Sequence, residues 1–145
     1  MNAESLLSKL GNTLGIDLHF SEKKTCGVRF GQDEIFFEEN NSNFYMIARL
    51  GPVKEAAYRQ ILEGNYLSLE TGFGAIGINS VKNDFVLHRV ITQDMSYAAF
   101  EEALKIFVRS VRFWKGKLSL EVAQKVESNA QTNDLSMWQI HAMRL

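Results

Sequence analysis

Residues 26–50 read CGVRFGQDEIFFEENNSNFYMIARL, and the alternation in this stretch decides the fold. Cys26, Val28 and Phe30 alternate with Gly27 and Arg29. Glu34 to Glu39 carries Ile35-Phe36-Phe37. From Phe44 to Leu50, Phe44, Met46, Ala48 and Leu50 fall on one side and Tyr45, Ile47 and Arg49 on the other. A period of two is that of a β-strand, whose successive side chains point to opposite faces. The connections GQD and NNSN are short and turn-like, so antiparallel hairpins are expected. A sheet with one solvated face should alternate apolar and polar residues cleanly. These strands are apolar on both sides, so a second face must be covered by the chain itself or kept for a partner.

Helices are expected around this core. Ala3 to Leu14 places Leu6, Leu7, Leu10 and Leu14 on one stripe, with Gly15 as a stop. Ile16 to Phe20 reads as an extended piece. Gly51-Pro52 is expected to open a helix running to about Leu62, with Pro52 at its first position and Gly64 as its cap. Strands are expected at Phe73 to Ile78 and Asp84 to Ile91, around a turn at Val81-Lys82-Asn83. Ser96 is a good N-cap for a long helix. Its stripe holds Tyr97, Phe100, Leu104, Phe107, Val108, Val111 and Trp114, and Gly116 marks its expected end. The order α-β-β-β-α-β-β-α, with strands in runs, predicts a single α+β domain with an antiparallel sheet. That domain spans residues 1–118, and 119–145 form a C-terminal extension. A polar linker at 128–133 precedes a segment compatible with a short helix, with Leu135, Trp138, Ala142 and Leu145 on one side. Trp138, Ile140 and Met143 either fold back on the apolar groove, meet a partner or stay loose.

The 145 residues are 46% hydrophobic and 23% charged, with a single proline, as in a folded domain. The net charge is −1 and the basic residues are scattered, so no footprint for nucleic acid is present. One cysteine, Cys26, excludes an internal disulfide and suits a reducing compartment. No apolar run approaches the ~18 residues of a membrane span. The start, MNAESLLSKLGNT, reads as a helix and not as a signal peptide, so a soluble cytoplasmic protein is expected.

Residues 72–77 read GFGAIG and satisfy G-x-G-x-x-G letter by letter. A dinucleotide loop needs a strand before it and a helix after it. Here Ile78-Asn79-Ser80 leads to a turn and another strand, so the glycines are read as strand features and no cofactor is expected. His19, His88 and His141 lie on different elements and lack metal spacing. Cys26, in an alternating strand, reads as a small core hydrophobe. Glu38-Glu39 and Glu101-Glu102 are adjacent pairs whose side chains diverge. No residue set argues for catalysis or for a metal.

Five stretches together resemble the Tir-chaperone (CesT-like) family, the class I chaperones of bacterial type III secretion. They are LLSKLGNTLGIDLHF, TCGVRFGQDEIFFEE, FYMIARLGPV, GNYLSLETGFGAIGIN and the long segment from Asp84 to Leu118. The resemblance covers about residues 3–118. It implies a non-enzymatic homodimer, or a heterodimer with a related chain, in the bacterial cytoplasm. Its partner would be the N-terminal segment of one or more secreted effectors, held extended and export-competent. The resemblance further implies a dimer interface at Val53, Ala57, Tyr58, Ile61, Leu62, Gly74, Ile76 and Ile78. On this reading the glycines let two backbones approach. It implies a partner surface drawn from Leu10, Leu14, Ile16, Leu18, Val28, Phe30, Phe37, Phe44 and Met46. The alternative is an adaptor of the same fold that binds its partner through the C-terminal tail. The chain departs from the family pattern in being only weakly acidic and in carrying the extension after Leu118.

Overall fold

The computed structural model describes residues 2–92, 94–119 and 142–145. Its elements are α1 (Ala3–Leu14), β1 (Thr25–Phe30), β2 (Asp33–Asn40), β3 (Asn43–Pro52), α2 (Tyr58–Asn65), β4 (Ala75–Asn79), β5 (Asp84–Ile91), α3 (Tyr97–Leu118) and β6 (Ala142–Arg144). All strand pairings are antiparallel, and the sheet runs β4-β5-β3-β2-β1-β6. The α+β order is that expected from the sequence.

The helices share one face of the sheet. Asn2 caps α1 by accepting from the Ser5 N–H, and Gly15 closes the helix at φ 73°. Ser96 caps α3 by accepting from the Ala99 N–H. The stripe of α3 lies over the middle of the sheet. The Phe100 ring centroid sits 5.7 Å from that of Phe44 and 6.1 Å from that of Phe37. Leu6, Leu7 and Leu10 of α1 join the same core as Val28, Phe30, Ile35 and Met46, all fully buried. Burying one such side chain is worth about 1.5–3 kcal/mol before entropy is counted.

α2 is anchored through Trp114. That ring is fully buried, and its Nε1 donates to the Glu70 carbonyl at 2.8 Å. Gly64 lies inside α2 instead of capping it, and a Cβ there would stand 2.3 Å from Trp114 Cζ2. Only a glycine lets the two helices come this close.

Three local expectations are corrected. Pro52 ends β3 opposite Asp84, and a 3-10 turn at Glu55–Ala57 separates it from α2, which starts at Tyr58. Proline is tolerated there because it stands at a strand end. Gly116 does not end α3, which continues to Leu118. Residues 142–144 form a strand instead of a helical turn, and the remainder of the expected last helix lies outside the described residues.

Two buried aspartates carry ion pairs at the ends of the sheet. Asp33, buried in the β1–β2 turn, accepts from Arg112 Nε of α3 at 2.7 Å and lies 3.3 Å from Lys115 Nζ. At the other end, a bulge between Arg49 and Gly51 coincides with a 2.7 Å bond from Arg49 Nε to buried Asp84. That hydrogen bond holds the Asp84 carboxyl below its ordinary value of 3.8. A depressed carboxyl stabilises the fold above its unfolded pKa, and the contribution is lost as pH falls through the folded value. Denaturant titrations from about pH 7 down to about pH 3 should therefore show stability falling at the acid end, with a smaller fall in Asp84→Asn. Equal acid sensitivity in both proteins would remove this pair from the account.

Candidate partner-binding surface

The registers fix which residues occupy the sheet face that the helices leave open. Its central row runs Gly27, Phe36, Ile47, His88 and Ala75. A flanking row runs Thr25, Glu38, Tyr45 and Val90. Phe36 is 37% exposed and Val90 49%, and Tyr45, Ile47 and Val86 are half-buried. An apolar band thus crosses a surface that no described helix covers.

The two edges of this sheet differ. On β4, the Asn65 side chain imitates a neighbouring strand: Nδ2 donates to the Ile76 carbonyl at 3.0 Å, and Oδ1 accepts from the Ile76 N–H at 2.9 Å. The β1 edge instead takes a true strand. Val28, Arg29 and Phe30 pair with Arg144, Met143 and Ala142, and the Leu145 N–H donates to the Gly27 carbonyl at 3.0 Å.

A groove of about 350 Å³ lies beside the end of α1, lined by residues including Ser8, Gly11, Asn12, Ile16 and Leu18. Gly11 lets the segment from Ile16 to Leu18 pack closely on α1, since a Cβ there would stand 2.6 Å from the Ile16 carbonyl oxygen.

A second apolar surface surrounds α2 and the turn after it. Leu62, Tyr66, Leu67, Leu69 and Phe73 are all well exposed. Leu67, Ser68 and Phe73 have φ values of 53°, 55° and 66°. Such conformations cost of order 1–3 kcal/mol each and persist only where neighbours impose them. Here Ser68 Oγ and Thr71 Oγ1 donate to the Gly74 carbonyl at 3.0 and 2.6 Å. Arg89 adds an Nη1 bond of 3.3 Å to the Gly72 carbonyl, with its guanidinium carbon 5.3 Å from the Phe73 ring centroid. A rigid frame holds exposed hydrophobics outward.

The expected site residues divide between interior and surface. Leu10, Leu18, Val28, Phe30, Phe37, Phe44 and Met46 face the core beneath the helices and do not reach the surface. Leu14 and Ile16 are half-buried near the groove. Of the expected interface, Ile61, Gly74 and Ile76 are buried, Val53 and Ala57 are half-buried, and Tyr58, Leu62 and Ile78 are exposed. The glycine stretch also gets a different reason. Gly72 has φ +57° with α3 close by, and a Cβ on Gly74 would stand 2.4 Å from the His88 carbonyl oxygen. Both requirements arise within one chain. Gly77 alone of the three faces open space. The stretch runs from a turn into β4 and then β5, so it meets no helix N-terminus.

The surface expected from the sequence omits Phe36, Tyr45, Ile47 and Val90, and also Tyr66, Leu67, Leu69 and Phe73. The signal for the first set is the other parity of the same strands. For the second it is the cluster Tyr66-Leu67-Ser68-Leu69, apolar without a helical stripe. Cys26 is buried, and burial pushes its thiol pKa up. It is placed as a core residue and not as a thiolate nucleophile. Among the described residues no group of three or more His, Cys, Asp or Glu gathers as a metal site, and no helix is long and apolar enough to cross a membrane.

A solved type III secretion chaperone shares this fold. The family model of the Tir chaperone protein (CesT) family matches residues 5–115, and the chain belongs to that family. A chain of the HopA1–SchA chaperone–effector complex superposes with a TM-score of 0.67 at 16% identity, covering 77% of this chain and 91% of that one. A chain of the ExsC–ExsE complex gives 0.67 at 17% identity, covering 79% and 95%. A chain of the Yersinia pestis chaperone SycH in complex with a YscM2 fragment gives 0.61 at 18%, covering 77% and 98%. No curated protein matches by sequence.

Facing is testable at adjacent residues. Phe37→Ser should cost about 3–5 kcal/mol, the range for emptying a core aromatic site. Phe36→Ser should cost well under half of that in the same urea titration. Equal losses would mean that the open face is not open.

Proposed function

We propose that this chain is a non-enzymatic cytoplasmic chaperone of bacterial type III secretion. It holds the N-terminal segment of one or more secreted effectors in extended form. The observation that carries this reading is the apolar band of Phe36, Tyr45, Ile47 and Val90, which no described helix covers and which is continuous with a β1 edge that accepts a strand. An extended segment gains main-chain hydrogen bonds at a sheet edge and seats alternate side chains on the adjoining face. Ordering a flexible segment costs free energy, so broad apolar contact is needed to offset it. Family membership and the solved neighbours, described as chaperone–effector or similar complexes, support the same reading.

The second part of the proposal is a homodimer. Leu62, Tyr66, Leu67 and Leu69 supply the exposed apolar surface, with Tyr58 and Ile78 beside them. The open space at Gly77 leaves room for a second chain. A two-fold interface is self-complementary, so one such patch serves both subunits. The adaptor reading gains no support from residues 142–144, which pair with the chain's own β1.

Two outcomes are expected. Co-expression with secreted proteins from neighbouring reading frames should yield a complex through the secreted protein's N-terminal segment, and Phe36→Asp with Val90→Asp should abolish it. Retention of the complex by that double variant would exclude the open face. Light scattering should give the mass of a dimer, and Leu62→Asp with Leu67→Asp should give a folded monomer. A double variant that stays dimeric would displace the interface. Ile61 is unsuitable for this test because it is buried within the subunit.

A further inference from the structure

The β1 edge and the strand on it carry an inference about how binding is regulated, which rests on the proposed chaperone reading. We infer that residues 142–145 are a built-in occupant of the strand-accepting edge, which an incoming extended segment must displace.

The tail is seated with a defined register. Leu145 donates its N–H to the Gly27 carbonyl at 3.0 Å. Antiparallel alternation then aims the Met143 N–H at Arg29, two residues along. Arg144, opposite Val28, reaches past the strand, and its Nη2 donates to His19 Nε2 at 3.4 Å. Leu145 falls opposite Gly27, where a Cβ on the glycine would lie 3.1 Å from Leu145 Cβ and 3.0 Å from Phe36 Cε1. The missing side chain at Gly27 therefore leaves a notch that Leu145 and Phe36 share. Leu145 thus covers one end of the apolar band proposed to hold the partner.

The attachment is built to be weaker than the sheet it joins. β6 has three residues and pairs over three positions, whereas β1 and β2 pair over six. Leu145 remains 42% exposed. Displacement costs little of the core because every strand from β4 to β1 keeps its partners without β6. On the opposite edge, Asn65 already satisfies the Ile76 backbone. An unoccupied strand edge is an aggregation hazard. A tethered strand covers it between partners and yields to a longer segment that pairs over more positions.

The probe is a labelled peptide of residues 138–145, WQIHAMRL. Fluorescence anisotropy would compare the whole chain, the chain lacking residues 142–145, and the whole chain with Met143→Pro. A tail docked nine-tenths of the time weakens a competitor about tenfold. The peptide should therefore bind both released chains about tenfold more tightly than the whole chain, and the same peptide carrying Met143→Pro should bind none. Equal binding to all three chains, or binding to none, would overturn the inference.

Capture of a secreted segment separates this inference from the function it rests on. Equal capture by whole and released chains would overturn displacement and leave the chaperone reading intact. Expected peptide binding together with no capture by any form would keep the occupied edge and remove the chaperone reading.

Discussion

The packing of α3 against one face of the antiparallel sheet is the constraint on which the rest depends. Phe100 meets Phe37 and Phe44, and Trp114 reaches past them to Gly64 and the turn after α2. Once this long helix and α1 occupy the inner face, no described helix remains for the outer one. The apolar residues of opposite parity are left at the surface by geometry. The same packing fixes α2 at the sheet margin, where its outward side and the strained turn after it project Leu62, Leu67 and Leu69. One helix–sheet contact thus produces two separate apolar surfaces.

These surfaces differ in physical character. The open face is a pleated band whose long axis crosses the strands, and it ends at an edge that takes backbone hydrogen bonds. It suits an extended chain, whose own polar backbone needs partners. The surface around α2 offers side chains on a frame held by Thr71, Ser68 and Arg89, and suits a second folded body.

Much of the architecture is legible in the sequence because periodicity carries it. The stripe from Tyr97 to Trp114 and the alternation from Cys26 to Leu50 give the elements, their order and their antiparallel pairing. The same alternation cannot say which face is inner when both are apolar. Phe36 and Phe37 are identical letters with opposite fates, and only the position of α3 distinguishes them. Pro52 shows a different limit: its fixed φ suits a helix start and a strand end alike, and pairing with Asp84 decides. The glycines at 72 and 74 answer to Ile106, Ser110 and His88, contacts that no local pattern encodes. The strand at 142–144 is invisible for the same reason, since three residues have no period, and a distant edge stabilises them.

The central claim is that an extended segment binds along β1 and the open face. Hydrogen exchange read by mass spectrometry, on the chain alone and on its co-purified complex with a secreted protein's N-terminal segment, tests it most directly. The expected result is slower exchange along β1 in the complex, together with faster exchange at residues 142–145 as the tail leaves the edge. Slowing confined to α2 and the turn after it, with β1 unchanged, would contradict the account.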